Sequence, residues 1–359
     1  MTVPALFQPL TIRGVTFRNR IWLSPLCEYS AKEDGVPTDW HMVHLGSCAI
    51  GRAGLIMAEA AGINPAGRIS PQDVGIWSDE QVAAWARIVA FSHSQGVAAG
   101  IQLGHAGRKG STAPGWGVDY QNSTPLDKGG WQTVAPSALA YGRYDVPLAL
   151  DAAGIDAVVT DWAAAARNAM TAGFDVVEIH AAHGYLVHQF LSPITNERTD
   201  EYGGSLENRA RLVRRVVRAV REAVGDSVPV FVRLSATDWD ERGITVDDVA
   251  TVAGWVHEDG ADLIDTSTGG IASGIPIPTG PGYQVEFAAT IRRTAEMPTN
   301  AVGLITLPEQ ANEIVESGKA DAVMLGREMM RDPHFALRAS TALGYKLPYW
   351  PDQYLRAQP

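Results

Sequence analysis

Cysteine is nearly missing from this chain. Cys27 and Cys48 are the only two in 359 residues, which excludes a disulfide framework and a thiolate-bound metal or cluster. Basic residues are also scarce. The 29 Lys and Arg stand against 40 Asp and Glu, for a net charge of −11. No long Lys/Arg run exists, so nucleic acid and anionic membrane surfaces are excluded as natural partners. No apolar run approaches the roughly 18 residues of a membrane span. Residues 1–17 lack the basic segment and apolar stretch of a secretory signal, so a cytoplasmic protein is expected. No G-x-G-x-x-G follows a strand and there is no P-loop, which argues against a separate nucleotide-binding domain. An anionic cofactor stays possible if particular arginines hold it.

What is present is a large apolar fraction, 46% of residues, arranged in a repeat. Strand-like runs occur at 20–26, 54–63, 98–105, 176–183, 229–236, 263–268, 300–305 and 322–327. Amphipathic helical segments lie between them. In 207–224 the positions Leu212, Val213, Val216, Val217, Val220 and Val224 recur at helical spacing. In 245–258, Val249, Val252, Ala253 and Val256 do the same. Eight β/α units with nearly all-apolar strands predict an α/β protein, a single (β/α)8 TIM barrel over 1–359. Two segments break the repeat. Residues 1–18 read as a hairpin around Arg13-Gly14, placed to close the barrel's bottom. Residues 107–154, rich in Gly, Pro and Trp, read as an insertion or capping segment without helices of its own.

Chemistry-bearing residues gather where these strands end. His180-Ala181-Ala182-His183-Gly184-Tyr185 follows the strand-like run through Ile179. Barrel enzymes keep their chemistry at that carboxyl end. Two imidazole N–H groups can hold one oxygen and a phenol can supply a proton, which suits a reaction that builds charge on an enolate. The other strand ends contribute Ser24 to Tyr29, Glu59-Ala60, Gln102, His105, Arg108, Arg233, Gly303 and Gly326-Arg327. Together they describe a site for a flat polar ring and a phosphate. Arg233 and Arg327 follow apolar strands, so each is expected to need an anion or a carboxylate partner. The bland alternatives are a pair of structural histidines, a packing role for Tyr185, and inert core for Cys48 and Cys27. A His-x-x-His metal site lacks a carboxylate at ligand spacing, and no metal is expected.

Several blocks carry a resemblance to a known family. They are Asn19-Arg20, Cys27-Glu28-Tyr29-Ser30, Gln72-Asp73-Val74-Gly75-Ile76-Trp77, Gln102-Leu103-Gly104-His105-Ala106-Gly107-Arg108, the His180 to Tyr185 block, and Thr199-Asp200-Glu201-Tyr202-Gly203-Gly204-Ser205. The chain resembles the Old Yellow Enzyme family of flavin-dependent ene reductases, in its thermophilic-like or xenobiotic-reductase-like class. The resemblance implies non-covalent FMN across the top of the barrel. It assigns Gln102 to the pyrimidine edge and Arg233 to the side that carries charge when the flavin is reduced. Pro25, Cys27 and Ala60 would line the ring, and Gly303, Gly326 and Arg327 would take the phosphate. It implies that His180 and His183 hold the substrate oxygen, that Tyr185 protonates the α-carbon, and that Tyr29 lines the substrate side.

With two cysteines and an end at Pro359, neither an iron–sulfur cluster nor a second flavin domain is expected. Electrons are therefore expected from a diffusible nicotinamide, NADPH, and the substrate class is an activated alkene. The tail, 343–359, is aromatic; composition alone reads it as folded back on its own barrel, and the resemblance instead implies a subunit interface of a homodimer or homotetramer. Arg356 matches the family's C-terminal Gln-Tyr-x-Arg arginine, which reaches the neighbouring subunit's active site. Two readings compete: another FMN barrel such as a dihydrouridine synthase, and a barrel that binds a small ligand without chemistry. The acidic charge argues against RNA.

Overall fold

Around Arg13-Gly14 the chain folds back on itself, pairing β1 (Leu10–Ile12) antiparallel with β2 (Val15–Phe17). The computed structural model describes residues 3–32, 34–117 and 122–359. After the hairpin come β3 (Ile21–Leu23), α1 (Asp39–Ile50), β4 (Leu55–Gly62), α2 (Asp79–Ser94) and β5 (Ala98–Gly104). The short β6 (Val134–Ala135) and β7 (Leu148–Ala149) precede α3 (Ala152–Ala172) and β8 (Val176–Ala181). The second half runs α4 (Leu186–Leu191), α5 (Leu206–Val224), β9 (Val230–Ser235), α6 (Val246–Glu258) and β10 (Leu263–Ser267). It ends with α7 (Val285–Ala295), β11 (Thr299–Ala301), α8 (Pro308–Glu316), β12 (Ala322–Leu325), α9 (Arg327–Arg331) and α10 (Phe335–Ala342).

β3, β4, β5, β8, β9, β10, β11 and β12 close into a parallel barrel, with β12 hydrogen-bonded back to β3. This is the (β/α)8 barrel that the eight apolar runs predict. The helices bury the faces their spacing dictates. On α5, Leu212, Val213, Val216, Val217 and Val220 are fully buried, and Ser205 caps the helix by accepting from the Asn208 amide at 3.3 Å. Each such side chain stabilises the fold by about 1.5–3 kcal/mol.

Strand lengths depart from the sequence reading at the carboxyl ends. The run 300–305 is strand only through Ala301, because Gly303 and Leu304 take φ of 122° and 50°. The run 176–183 stops at Ala181, and His183 leaves it at φ 57°. In β4 a register shift between Ala58 and Ala60 marks a bulge at Glu59. Early endings and the bulge turn backbone and side chains toward the barrel mouth.

The sheet and its helices enclose one apolar core, and a second, smaller core fills the amino end of the barrel. There Ile12 and Phe17 of the hairpin pack against Trp22, Leu55, Met57, Val176, Phe231 and Leu263. At the other end lies the 107–154 segment, of which 118–121 fall outside the described residues, as do 1 and 2 of the N-terminal one. It contains two 3-10 turns, Gly107–Lys109 and Leu126–Lys128, and its last residues are the first turn of α3. Arg108 pins it, donating to the carbonyls of Leu139 (3.0 Å), Ala140 (3.2 Å) and Ile271 (2.7 Å). Among the described residues, no helix is long and apolar enough to cross a membrane.

Candidate active site

Alternate residues of a strand face the same way, so each barrel strand lays its inward side chains in layers. Above Val176, Phe231 and Leu263 the inward positions become Glu178, Arg233 and Asp265, joined by Gln102 and Asn300. Arg233 Nε lies 3.0 Å from Asp265 Oδ2, and Gln102 Nε2 donates to Glu178 Oε1 at 2.7 Å. Glu178 and Asp265 are both 0% exposed. Burial pushes Glu178 up to about 8, Asp265 pushing the same way and Arg233 opposing. Burial raises Asp265 as well, against the pull of Arg233.

One layer higher stand His180 and His183. The His180 ring meets His183 edge-on at 5.1 Å and Tyr185 edge-on at 4.8 Å, between centroids. The Ala182 amide donates to His180 Nδ1 at 3.2 Å, which leaves the ring proton on Nε2. His183 Nε2 sits 2.6 Å from Ser267 Oγ. Burial, then the charge of Arg233, holds both imidazoles well below the usual histidine range, so they are neutral. Burial holds the Tyr185 phenol well above its usual range, with smaller repulsion from Cys27 and Tyr29. The turn between them demands glycine: Gly184 has φ 73°, and a Cβ there would stand 2.1 Å from the Gly270 carbonyl oxygen. Its amide donates to His188 Nδ1 at 2.9 Å and its carbonyl accepts from Gln189 at 2.7 Å. Lys109 braces the same turn by donating to the carbonyls of His183 (2.8 Å) and Gly270 (3.1 Å).

A cavity of about 300 Å³ opens onto these groups. Its lining brings together Pro25, Cys27, Gln102, His180, His183, Tyr185, Arg233, Gly303, Gly326 and Arg327 from six separate stretches of chain. Ala60 lines a small adjoining cavity with His180 and Tyr185. Cys27 keeps its thiol, since burial pushes it well above the ordinary value. Tyr29 holds a left-handed backbone at φ 47° and packs edge-on against Trp116 at 5.5 Å.

Arg233 has the carboxylate that its burial requires. Arg327 departs from the expectation of a buried charge: it is solvent-exposed at the rim, where water offsets the cost of an unpaired cation. Arg356 is exposed on the 3-10 turn Asp352–Ala357, outside the lining of this cavity. Cys48 is buried on α1, where burial raises it to about 12. Among the described residues, no cluster of His, Cys, Asp and Glu could hold a metal ion.

Other wall residues carried no signal that reading in order could find. Gln284, at the start of α7, accepts from Thr268 Oγ1 at 2.7 Å and donates to the Val302 carbonyl at 3.1 Å. Ser267, Tyr283 and Arg331 line the same cavity. Glu178 and Asp265 are polar positions within otherwise apolar strands, and only closure of the barrel sets them against one guanidinium.

The chain matches the sequence pattern of the NADH:flavin oxidoreductase / NADH oxidase family over residues 5–345. It is 45% identical over 353 residues to the NADPH dehydrogenase of Bacillus subtilis (strain 168), covering 98% of each chain. Its structure is similar to morphinone reductase in complex with tetrahydroNAD, at 30% identity and TM-score 0.78 over 96% of this chain and 93% of that one. It is also similar to the old yellow enzyme homologue from Zymomonas mobilis, at 31% identity and TM-score 0.79 over 99% of each.

Proposed function

The chain belongs to the NADH:flavin oxidoreductase / NADH oxidase family, whose members use FMN, and from that premise we propose that it is an NAD(P)H-dependent ene reductase acting on activated C=C bonds. The observation that carries this reading is the wall formed by His180, His183 and Tyr185 directly above Gln102 and Arg233 in one cavity.

The residues present fit the cofactor. Gly303, at φ 122°, leaves a cradle that a Cβ would fill, 3.0 Å from Gln284 and Tyr283 side-chain atoms. Arg327 stands beside Gly326 with no carboxylate partner among the described residues. Gly303, Gly326 and Arg327 would hold the phosphate, Gln102 and Arg233 the polar edge of the ring, and Pro25, Cys27 and Ala60 its flank. When bound, FMN supplies a carrier that takes hydride from NAD(P)H and gives it to the β-carbon of the alkene.

The protein's own groups manage the oxygen and the proton. A neutral His180 with its proton on Nε2 donates to a substrate carbonyl or nitro oxygen without losing that proton. His183 donates from Nδ1 when Ser267 donates to Nε2. Two donors in a site shielded from water stabilise charge as it forms on that oxygen. Tyr185 keeps its proton at neutral pH, so it is available to the strongly basic α-carbon. Tyr29 lines the substrate side. Enones, maleimides and nitroalkenes all present the required oxygen and polarised double bond.

The assembly we infer is a cytoplasmic homodimer in which Arg356 enters the partner's substrate pocket. The apolar groove of about 610 Å³ beside Trp350 and Tyr354 supports it. Mixing Arg356→Ala with Tyr185→Phe chains tests it: exchange in trans restores one competent site per dimer, and activity no better than the average of the two variants refutes it. For the reaction itself, the purified protein is expected to be yellow, to release one FMN per chain on acid treatment, to bleach anaerobically with NADPH and to regain colour with an enone. A chain that takes up no FMN, or is not reoxidised by any enone, overturns the reading.

A further inference from the structure

Inside the barrel, below the proposed cofactor site, two carboxyl groups share one guanidinium. Asp265 makes the ion pair, at 3.0 Å from Arg233 Nε, although neither of its oxygens meets hydrogen-bond geometry. Glu178 receives only the Gln102 amide, at 2.7 Å on Oε1, and Oε2 has no hydrogen-bond partner. Both carboxyls are 0% exposed. Two buried anions cannot be compensated by one cation, so the layer holds a proton at neutral pH. The carboxyl without the ion pair is the one that holds it.

The groups facing Glu178 are Gln102 from β5, Arg233 from β9 and Asp265 from β10, with His180 two residues along its own strand. Of these, Arg233 is the cation, and it also lines the cavity. Gln102 does the same from the other side. Glu178 therefore adjoins both groups assigned to the polar edge of the flavin ring, while lying too deep to touch substrate.

Resting on the FMN reading, we propose that, at a pH where Glu178 is ionised in the oxidised protein, Glu178 takes up the proton that balances reduction of the cofactor, with Arg233 as the electrostatic link. Hydride transfer breaks one C–H bond of the nicotinamide and forms one N–H bond on the flavin. The nicotinamide leaves as a cation, and the flavin keeps one added negative charge. That charge draws on Arg233 and strips compensation from Glu178. Where Glu178 is ionised beforehand, it binds one solvent proton, forming one O–H bond. When hydride passes on to the alkene, Glu178 returns that proton to solvent. Its value of about 8 sets where the exchange begins. Glu178 is a positioning residue of charge; it takes no part in bond making at the substrate.

The experiment measures protons taken up per two electrons, from the reduction potential of the FMN-loaded protein between about pH 6 and 10. The parent is expected to take one proton at low pH and two above about pH 8, the extra one belonging to Glu178. In Glu178→Gln, which keeps a partner for Gln102, the count stays at one throughout. In Asp265→Asn, Glu178 gains sole use of Arg233, ionises earlier, and the rise to two moves to lower pH. A yellow parent that takes one proton at every pH overturns the proposal alone. So does a Glu178→Gln protein that still rises to two. Should Glu178→Gln fail to fold, an unmoved onset in Asp265→Asn overturns it. A chain that takes up no FMN removes the flavin reading and this proposal together, and the missing colour tells that case apart.

Discussion

At the amino end of the barrel, Trp22 and Phe231 stack with centroids 5.7 Å apart, and Phe17 of the hairpin packs onto both. Two residues further along β9, Arg233 faces Asp265 and Glu178. The same strands thus build an apolar plug and, one layer up, a buried polar floor. The plug spends no polar group. The floor and the mouth hold Glu178 Oε2, both Asp265 oxygens and both side-chain polar atoms of Asn300 without a hydrogen-bond partner. Positive φ at non-glycine residues occurs at both ends: at Tyr29, His183 and Leu304 at the mouth, and at Arg13 in the hairpin and Arg52 ahead of β4. Apolar packing fills the end that does nothing, and the unpartnered polar atoms of Glu178, Asp265 and Asn300 stand toward the end that binds.

The largest effect that would break this comparison is expected at the plug. Phe231→Ala should cost about 3–5 kcal/mol in urea unfolding while FMN bound per folded chain stays the same. An unchanged midpoint would mean that the hairpin and ring stack carry little of the fold. The matching change at the mouth should do the reverse. Tyr185→Phe should leave stability within about 0.5 kcal/mol yet slow reoxidation by an enone by roughly 10²–10⁴-fold, with reduction by NADPH nearly unaffected. Stopped-flow traces of the two half-reactions decide, and equal slowing of both would take the acid role from Tyr185.

Acid should also single out the mouth. His105, at the end of β5, is buried and neutral, with burial lowering it to about 4 from an ordinary 6.5. The unfolded chain then binds a proton that the folded one refuses, so stability is lost as pH falls from about 6.5 to about 4. The full loss from this residue is of order 3 kcal/mol. Thermal unfolding at stepped pH checks it, and a His105→Gln profile as steep as the parent's would contradict it. The smallest effect expected is on ligand binding. His180→Ala or His183→Ala should weaken a para-substituted phenolate by about 1.5–3 kcal/mol per lost hydrogen bond, read from its charge-transfer absorbance. An unchanged dissociation constant in both variants would make the pair structural.

Much of the mouth was legible in order along the chain. Gly303 and Gly326-Arg327 follow apolar runs at the seventh and eighth strands, and the His180 to Tyr185 block follows the fourth. Their residue types alone say what they can do. The barrel was legible for a similar reason: a strand buried on both faces needs an unbroken apolar run, and a helix against a sheet needs its apolar positions at a 3.6-residue period. Composition likewise excluded a cysteine-held metal and a disulfide framework. What sequence could not give was any fact that depends on which strands close together. Glu178, Arg233 and Asp265 are 55 and 32 residues apart, and only the β8–β9–β10 register makes them neighbours. Gln284 and Ser267 reach the site by the same closure. The lowered basicity of His180 and the raised acid range of Glu178 are also set by the tertiary structure, because burial sets the cost of charge, and no residue carries its burial in its name.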